Sequence, residues 1–408
     1  MGTTSAQLVW RGSPGSGLRL EVGGREVEVA AAEPAFIHLS RPGRAMPTAP
    51  RSGPGAGRLA HARYSYLEGG RFLDARWPGG PGSVVLEDLA PATTYEVVAR
   101  ARGVPPFLAC RFTTLRPPPG RLLARFATVS DVHIGEKHFG ITGRIHDLGR
   151  PAYPVRALQA ALDEAAAWGA GTVVVKGDLT RQATPAEVRD YATVLAGSPL
   201  AAHTMLGNHD SNLGVNVVGL LGSLGSHVEL RPQALELPGL RLVLVNTMHA
   251  DPHFHRGHLP AEEAEEVARL AASAGGPVWV AMHHPPELHP WPTCYPPGVP
   301  HDQSMALLGA LSAANPSVLV TCGHRHRNRR YNYGDIVISE VGSTKDYPGC
   351  WAGYEVYEGG LVQVVRRTAR PDVLAWTEAT RRALNGQWGR WSPGRLDDRC
   401  FAITWPAP

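Results

Sequence analysis

The sequence contains few cysteines, few lysines and no long hydrophobic run. Five cysteines occur among 408 residues, an odd number with no C-x-x-C pair, which excludes a disulfide scaffold and favours a reducing compartment. No stretch reaches the roughly 18 to 20 consecutive apolar residues that span a bilayer. Residues 1–10 lack the basic start and apolar core of a signal peptide. We therefore expect a soluble, cytoplasmic protein without a membrane partner.

Charge and aromatic content are also low. Only three of the 40 basic residues are lysine, aromatic residues make up 7% of the chain, and the formal net charge is +4. These values give no clear signal for a nucleic-acid partner. By contrast, 43% of the residues are hydrophobic, which is enough apolar material for about two or three domains and excludes a disordered chain.

Residues 1–117 are predicted to form a β-sandwich. Their apolar runs are short, carry β-branched or alternating residues, and are separated by turn signals such as Gly23-Gly24. The segment Leu89-Ala90-Pro91-Ala92-Thr93-Thr94-Tyr95 resembles the tyrosine corner of fibronectin type III domains, in which the phenol hydroxyl is tied back to the backbone. This resemblance implies a fibronectin type III-like domain that ends at a proline-rich linker.

Residues 118–370 alternate between strand and helix patterns. Apolar residues at steps of three and four predict helices over 154–168 and 261–274. Thr184-Pro185-Ala186-Glu187 predicts a capped helix start, and a further helix is expected over 303–313 with Asp302 as its cap. Strand patterns lie between these helices, and two more follow without helices. We therefore predict an α/β domain with a mixed β-sheet.

Residues 371–408 form a third segment, distinguished by its tryptophans. Four of the ten tryptophans in the chain lie here. Because such large side chains are highly buried on average, we expect this tail to pack on the preceding domain.

Five predicted strands end in side chains of the types that bind metals. Ligands collect at the carboxyl ends of strands in open α/β sheets. Each group alone is explained by an ordinary turn or strand end, but together they supply two carboxylates, one amide and four imidazoles, enough for two cations. The groups are Asp131-Val132-His133, Gly177-Asp178, Gly207-Asn208-His209-Asp210, His283-His284-Pro285 and Gly323-His324-Arg325-His326.

The order of these groups, D-x-H, G-D, G-N-H-D, H-x-P and G-H-x-H, resembles the calcineurin-like metallophosphoesterase superfamily. Residues 173–210, together with Gly257-His258-Leu259, are most similar to its class III cyclic-nucleotide and glycerophosphodiester phosphodiesterases. The resemblance covers about residues 126–365 and includes all five motifs. It implies that the domain is a mixed β-sheet sandwich flanked by helices.

The resemblance implies two divalent or transition metal ions, with manganese, iron, zinc and cobalt as the open alternatives. Asp178 would bridge the two ions. In the histidine pair, His283 is the implied ligand rather than His284, because Pro285 lies two residues beyond it in H-x-P. The other implied ligands are Asp131, His133 and His326 for one ion, and Asn208 and His324 for the second.

Such a site would suit phosphoryl transfer. Two divalent ions roughly 3.5 to 4 Å apart yield a bridging hydroxide nucleophile near neutral pH and hold the phosphoryl oxygens during in-line attack. His209 lies beside a ligand without being one in the family pattern. We therefore assign it to the leaving oxygen, as a group that stabilises or protonates it, and expect Asp210 to orient it.

Four segments beside the motifs have predicted roles or open alternatives. Residues 249–258, with four histidines, either line the substrate pocket or form a solvated loop. Residues 136–147 form either a lid or an ordinary crossover. Residues 285–300, which include Trp291 and Tyr295, are expected to supply an apolar wall for a leaving group. The arginines of residues 325–330 either assist phosphate binding or form a solvated basic edge, and the basic edge is favoured.

These observations predict a binuclear metal-dependent hydrolase of a small-molecule phosphate ester, with a phosphodiesterase favoured over a phosphomonoesterase. A nuclease is less favoured because no basic track with interleaved aromatics is visible. The alternative from another class is a non-catalytic scaffold that keeps the fold. The complete set of motifs counts against it.

Overall fold

The computed structural model describes residues 1–11, 17–29, 37–39, 65–68, 71–74, 81–140, 145–147, 149–212, 214–248 and 255–406. Within these ranges, no helix is both long enough and apolar enough to cross a membrane.

The amino-terminal region consists of strands in small antiparallel sheets. β1 pairs with β7, β5 pairs with β6, and a four-stranded sheet has the order β3-β2-β8-β9. Ala6 and Leu86 from the first pair share one apolar cluster with Leu20 and Val97 from the four-stranded sheet, so these two sheets pack against one another. The strands are β1 (Ala6–Trp10), β2 (Arg19–Val22), β3 (Arg25–Val27), β4 (Ile37–Leu39), β5 (Ser65–Glu68), β6 (Arg71–Asp74), β7 (Gly82–Leu86), β8 (Thr94–Ala101) and β9 (Val104–Thr113).

The corner before β8 is closed by the predicted tyrosine. The backbone N–H of Ala90 donates to the Tyr95 hydroxyl at 2.8 Å, and the Tyr95 ring stacks on Phe112 of β9 with centroids 5.5 Å apart. The tie between the phenol and the backbone is therefore present. Membership of the fibronectin type III family stays a prediction.

Two six-stranded mixed sheets form the larger region. One has the order β14-β13-β10-β21-β22-β23 and the other β15-β16-β17-β18-β20-β19. The strands are β10 (Leu122–Val129), β11 (His138–Phe139), β12 (Ile145–Asp147), β13 (Thr172–Lys176), β14 (Ala201–Met205), β15 (Gln233–Leu237), β16 (Leu240–Val245), β17 (Val278–Met282), β18 (Val318–Cys322), β19 (Arg329–Tyr333), β20 (Ile336–Glu340), β21 (Cys350–Tyr357), β22 (Gly360–Arg367) and β23 (Cys400–Thr404). The helices are α1 (Tyr153–Ala167), α2 (Pro185–Ala196), α3 (Val217–Ser223), α4 (Ala261–Ala272), α5 (His301–Ala314), α6 (Pro371–Thr380), α7 (Trp388–Trp391) and α8 (Leu396–Arg399).

The two sheets pack face to face through an aromatic core. Phe126 of β10 lies 5.0 Å from Trp279 of β17 and 4.7 Å from Tyr354 of β21, measured between ring centroids. Apolar residues of α1 and α2 cover the other face of the first sheet, and those of α4 and α5 cover the other face of the second. The result is the predicted mixed β-sheet sandwich flanked by helices.

Of the two predicted helix caps, one is confirmed and one is wrong. Thr184 and Glu187 form the predicted capping box at the start of α2. The helix α5 begins at His301 instead of Gln303, and the cap is Pro300, whose carbonyl accepts from Ser304 N at 2.8 Å. The prediction of Asp302 as the cap is therefore wrong. Asp302 lies in the first turn, where its charge still favours the positive end of the helix.

The carboxyl-terminal tail packs on the larger region. Trp376 of α6 is fully buried and donates from Nε1 to the Lys345 carbonyl at 2.8 Å, and β23 pairs with β22. At the end of β22, beyond its pairing with β23, Gln7 of β1 exchanges two hydrogen bonds with the backbone of Arg367, at 2.7 and 2.8 Å. The amino-terminal sheets and the tail therefore both contact β22.

Candidate metal centre

The five motif groups meet at one edge of the two sheets. Each group begins within two residues of the end of a strand, namely β10, β13, β14, β17 and β18. β10, β13 and β14 run parallel in one sheet, and β17 and β18 run parallel in the other. Their carboxyl ends therefore lie together, as the sequence predicts.

One cluster contains two carboxylates and two imidazoles. The ligand atoms of Asp131, His133, Asp178 and His326 all lie within 4.8 Å of one another. The Asp131 carboxylate is held by Ser130 Oγ at 2.5 Å and by the backbone N–H of His324 at 2.9 Å. These are the residues that the resemblance implies for the first ion and the bridge.

A second cluster contains three imidazoles. The ligand atoms of His283, His284 and His324 lie within 4.8 Å of one another, and Asn208 Oδ1 is 3.3 Å from His283 Nε2. His324 Nε2 is 3.1 Å from the Pro297 carbonyl oxygen, which leaves Nδ1 as its free nitrogen. The structure thus brings together the predicted second set and adds His284, which the H-x-P motif does not select.

Asp178 lies between the two clusters. Its Oδ2 is 3.4 Å from His133 Nε2 of the first, and its Oδ1 is 3.4 Å from His283 Nε2 of the second. Burial alone would raise the pKa of Asp178, but His283 and His209 hold it well below its usual range. An ionised carboxylate therefore presents one oxygen to each cluster.

The arrangement of donor atoms fits cations. His283 Nδ1 lies 2.7 Å from the Lys176 carbonyl oxygen, to which it can only donate. In the neutral ring the Nε2 lone pair then faces Asn208 Oδ1 and Asp178 Oδ1, which is unfavourable unless a proton or a cation lies between them. Consistent with this, burial alone would lower the pKa of His283, but Asp178 raises it to about 9.

Two further imidazole nitrogens make no hydrogen bond among the described residues. They are the buried His133 Nε2 and His284 Nε2. Burial lowers the pKa of both imidazoles well below the ordinary value, so both rings are neutral at pH 7. Neutral imidazoles beside carboxylates and an amide oxygen suit divalent transition metals.

The backbone is strained at these positions. Five of the predicted ligands have a left-handed φ, between 50° and 71°, which residues other than glycine rarely adopt. Such conformations cost on the order of 1 to 3 kcal/mol each and cluster at functional sites. The strained residues are Asp131, His133, Asp178, His324 and His326.

Two motif glycines allow this close approach. A Cβ atom on Gly207 would lie 2.2 Å from Asp178 Oδ1, and one on Gly323 would lie 1.9 Å from Ser130 Oγ. A side chain at either position would therefore displace a carboxylate of the first cluster or the hydroxyl that holds it.

His209 lies at the centre, but Asp210 does not orient it. The His209 ring is 4.6 Å from that of His133, and its Nδ1 lies 3.0 Å from the Arg181 carbonyl oxygen, which orients it. The predicted orienting role of Asp210 is therefore wrong. The short 3-10 turn after β14 directs this carboxylate to the N–H groups of Leu179, Thr180 and Gly207, at 2.9 to 3.0 Å.

Sequence reasoning missed a charged group that contacts the first cluster. Asp346, fully buried between β20 and β21, accepts from His326 Nδ1 at 2.7 Å and lies 3.1 Å from Lys345 Nζ. Lys345 also pairs with Glu136 at 2.8 Å. Burial alone would raise the pKa of Asp346, but His326 and Lys345 lower it. This pattern of a carboxylate behind a histidine fixes ring orientation at metal sites.

A cavity of about 540 Å³ opens from the two clusters. Residues of both clusters and His209 line it, as do Glu136 and Phe139 of the predicted lid segment, Tyr295 of the predicted apolar wall, and His255. His255 Nδ1 is 3.1 Å from Asn208 Nδ2, which supports the pocket alternative for this end of residues 249–258. Residues 249–254 and 141–144 lie outside the described residues.

The arginines of residues 325–330 differ from the prediction. Arg325 is 2% exposed, pairs with Glu287 and Glu340, and donates to the Pro296 carbonyl at 3.1 Å. Arg327 also pairs with Glu340 at 3.2 Å. The prediction of a solvated basic edge is therefore wrong for Arg325, because buried carboxylates of β20 and of the loop after β17 neutralise it.

Comparisons with known proteins give structural similarity only. No protein-family model and no curated protein matches the chain. Solved structures similar to it include a dimetal phosphatase from Danio rerio, with 16% identity, a TM-score of 0.47, and coverage of 61% of this chain and 97% of that one. Another is the purple acid phosphatase PPD1 from yellow lupin seeds, with 12% identity, a TM-score of 0.44, and coverage of 99% and 73%.

A third similar structure is GAP50, described as the anchor in the inner membrane complex of Plasmodium. It has 13% identity, a TM-score of 0.41, and coverage of 62% of this chain and 87% of that one. All three TM-scores lie below 0.5. These similarities therefore assign no activity to this chain, and only the residues of its site indicate one.

Proposed function

We propose that this protein is a binuclear metal-dependent hydrolase of phosphate esters. The observation that carries the proposal is the position of Asp178, whose two carboxylate oxygens each lie 3.4 Å from an imidazole of a different cluster. The predicted ligands are Asp131, His133, Asp178 and His326 for one ion, and Asp178, Asn208, His283 and His324 for the other. When bound, two divalent cations supply an activated water and positive charge for the phosphoryl group.

The chain's own residues position the reaction. The His209 backbone N–H donates to Asp178 Oδ1 at 2.9 Å, which ties the proposed acid to the proposed bridge. Because His209 Nδ1 donates to the Arg181 carbonyl, Nε2 is the atom that holds or releases the proton of the leaving oxygen. This imidazole lines the cavity beside both clusters, so a phosphate ester bound there lies within its reach.

We propose a phosphodiester substrate, with a phosphomonoester as the alternative. The similarity of residues 173–210 to class III phosphodiesterases favours the diester. The cavity is large enough for a small-molecule ester, at about 540 Å³, and its walls come from the lid segment, the loop after β17 and the tail.

A substrate panel tests the proposal. The protein is reconstituted with Mn²⁺, Fe²⁺, Zn²⁺ or Co²⁺, and the bound metal is quantified by elemental analysis. Each form is then assayed on aryl phosphomonoesters and phosphodiesters, cyclic nucleotides and glycerophosphodiesters. We expect two ions per chain and the fastest turnover on a diester. His227→Ala is the matched control for histidine variants of the site, because His227 is exposed and paired with Glu229. Two bound ions without turnover of any ester would favour the scaffold alternative.

A further inference from the structure

The cavity beside the predicted metal centre has an aromatic rim, formed by Phe139, Tyr295, Trp388 and Trp391. These residues come from three separate segments, namely β11, the loop after β17, and α7 of the tail. We propose that this rim binds a planar aromatic ester group of the substrate. The inference rests on the proposed function, because it names the class of phosphate ester that the site accepts.

Tyr295 is held beside the second cluster by its neighbours. The Pro296 carbonyl accepts from Arg325 Nε at 3.1 Å, and the Pro297 carbonyl lies 3.1 Å from His324 Nε2. The backbone next to Tyr295 is therefore fixed to the G-H-R-H segment, whereas its side chain is 82% exposed. A large aromatic side chain held in the open mouth of a cavity has much apolar area to lose on binding a ligand.

Trp388 is held beside the first cluster. Its indole Nε1 lies 3.1 Å from both Asp346 Oδ1 and the Tyr347 carbonyl oxygen. Its ring centroid is 6.1 Å from that of His326, 5.7 Å from Phe139 and 5.3 Å from Trp391. Hydrogen bonds thus fix the indole before a ligand arrives, which lowers the entropic cost of binding.

The rim and the clusters line the same cavity, so one molecule can contact both. A phosphoryl group at the clusters would place its ester substituent toward the rim. Within the rim, Trp388 lies 5.7 Å from Phe139 and 5.3 Å from Trp391 between ring centroids, which is the spacing of aromatic pairs, about 4.5 to 7 Å. Offset or edge-to-face contacts favour a planar ring over a flexible alkyl chain of similar apolar area. A small polar alcohol such as glycerol offers the rim no such contact.

Binding of non-hydrolysable phosphonates tests the inference. Methylphosphonate, n-hexylphosphonate and phenylphosphonate are titrated calorimetrically into Mn²⁺-loaded protein, with metal content checked before each titration. We expect phenylphosphonate to bind about tenfold more tightly than methylphosphonate and about threefold more tightly than n-hexylphosphonate.

The variants come from a single exposed loop. Tyr295→Ala is expected to weaken phenylphosphonate about three- to tenfold and to leave methylphosphonate unchanged, whereas Tyr295→Phe retains the preference. Trp291→Ala is the matched control, since Trp291 is 79% exposed on the same loop and is not among the described residues that line the cavity. Neither exposed side chain supports the core, so folding is preserved.

The outcomes separate the two proposals. Equal affinity for phenyl and hexyl groups, or an unchanged preference in Tyr295→Ala, would overturn the aromatic rim and leave the phosphoryl site intact. Failure of all three phosphonates to bind metal-loaded protein would instead remove the proposed function, and the inference with it.

Discussion

His326 donates from Nδ1 to Asp346 Oδ2 at 2.7 Å, which turns its Nε2 toward Asp131 Oδ1 at 3.5 Å. The carboxylate thereby selects the tautomer and fixes the ring of a predicted ligand. Partners of this kind typically change metal affinity by about 10- to 100-fold when mutated.

We therefore expect Asp346→Asn to weaken metal binding at the first cluster by about 10- to 100-fold. The amide cannot match the charge of the carboxylate, and it leaves Lys345 with fewer negative partners. Competition with a chelator of known affinity measures the change. Asp372→Asn is the control, because Asp372 of α6 is also a paired carboxylate but belongs to neither cluster. Its partners are Arg370 and Arg156 of α1. An Asp346→Asn protein that binds metal like the control would contradict the positioning role.

Asp178→Asn should damage the site more than Asp131→Asn. Asp178 presents an oxygen to each cluster, whereas Asp131 belongs to the first alone. We expect Asp178→Asn to lose both ions and Asp131→Asn to lose mainly one, by elemental analysis after dialysis. Equal metal content and equal residual activity in the two variants would argue against a bridge.

His209→Ala is expected to retain both metals and to slow hydrolysis by about 10² to 10⁴, the range for a positioned acid–base group. The effect should be largest on a diester with a poor leaving group, which needs the proton most. Steady-state rates on a series of leaving groups, with His227→Ala as the control, measure it. Full activity on the poorest leaving group would exclude the proposed role.

Asp210→Asn should act on stability. The carboxylate accepts from Thr180 N through Oδ1 and from Leu179 N and Gly207 N through Oδ2. An Asn amide places an NH₂ group against at least one of these donors, which costs about 1 to 3 kcal/mol for each unpaired buried group. Thermal unfolding of metal-free protein measures the loss against Asp302→Asn, an exposed carboxylate in α5. Unchanged unfolding in Asp210→Asn would show that these hydrogen bonds contribute nothing.

Local patterns account for the parts of the site that the sequence predicted. Each of the five strands ends in a short apolar run, and a strand assignment also places the polar residue one to three positions later at the carboxyl end of the strand. These residues are Asp131, Asp178, Asn208, His283 and His324. The sheet order then brings these ends together.

Long-range packing accounts for the parts that were missed. Asp346 lies in Gly342-Ser343-Thr344-Lys345-Asp346-Tyr347-Pro348-Gly349, a segment that reads as an ordinary turn, and it reaches His326 only through the β20 to β21 connection. Arg325 looks like a surface charge until the partners Glu287 and Glu340, 38 and 15 residues away, fold against it. No spacing rule connects residues so far apart in the chain.

The last prediction concerns the amino-terminal region. A chain that begins at Pro119 should bind both metals and hydrolyse a small aryl phosphodiester, because every predicted ligand follows Ser130. It should lose stability and solubility. Removal of β1 exposes the end of β22 where Gln7 contacts Arg367. The truncation also removes the ion pair between Arg11 and Glu378 at 3.2 Å.

The strand β4 gives this truncation a further consequence. β4 pairs with β12, which in turn pairs with β11 of the segment beside the cavity. Loss of β4 removes one edge of that small sheet, so we expect larger changes for bulky diesters than for small ones. We compare the truncated and full chains by metal content, thermal unfolding, and rates on a small and a bulky diester. The rates on the small diester should agree within about tenfold, which corresponds to about 1.4 kcal/mol in the activation barrier. A soluble, metal-loaded truncation that is inactive on the small substrate would mean that the amino-terminal region contributes to the active site itself.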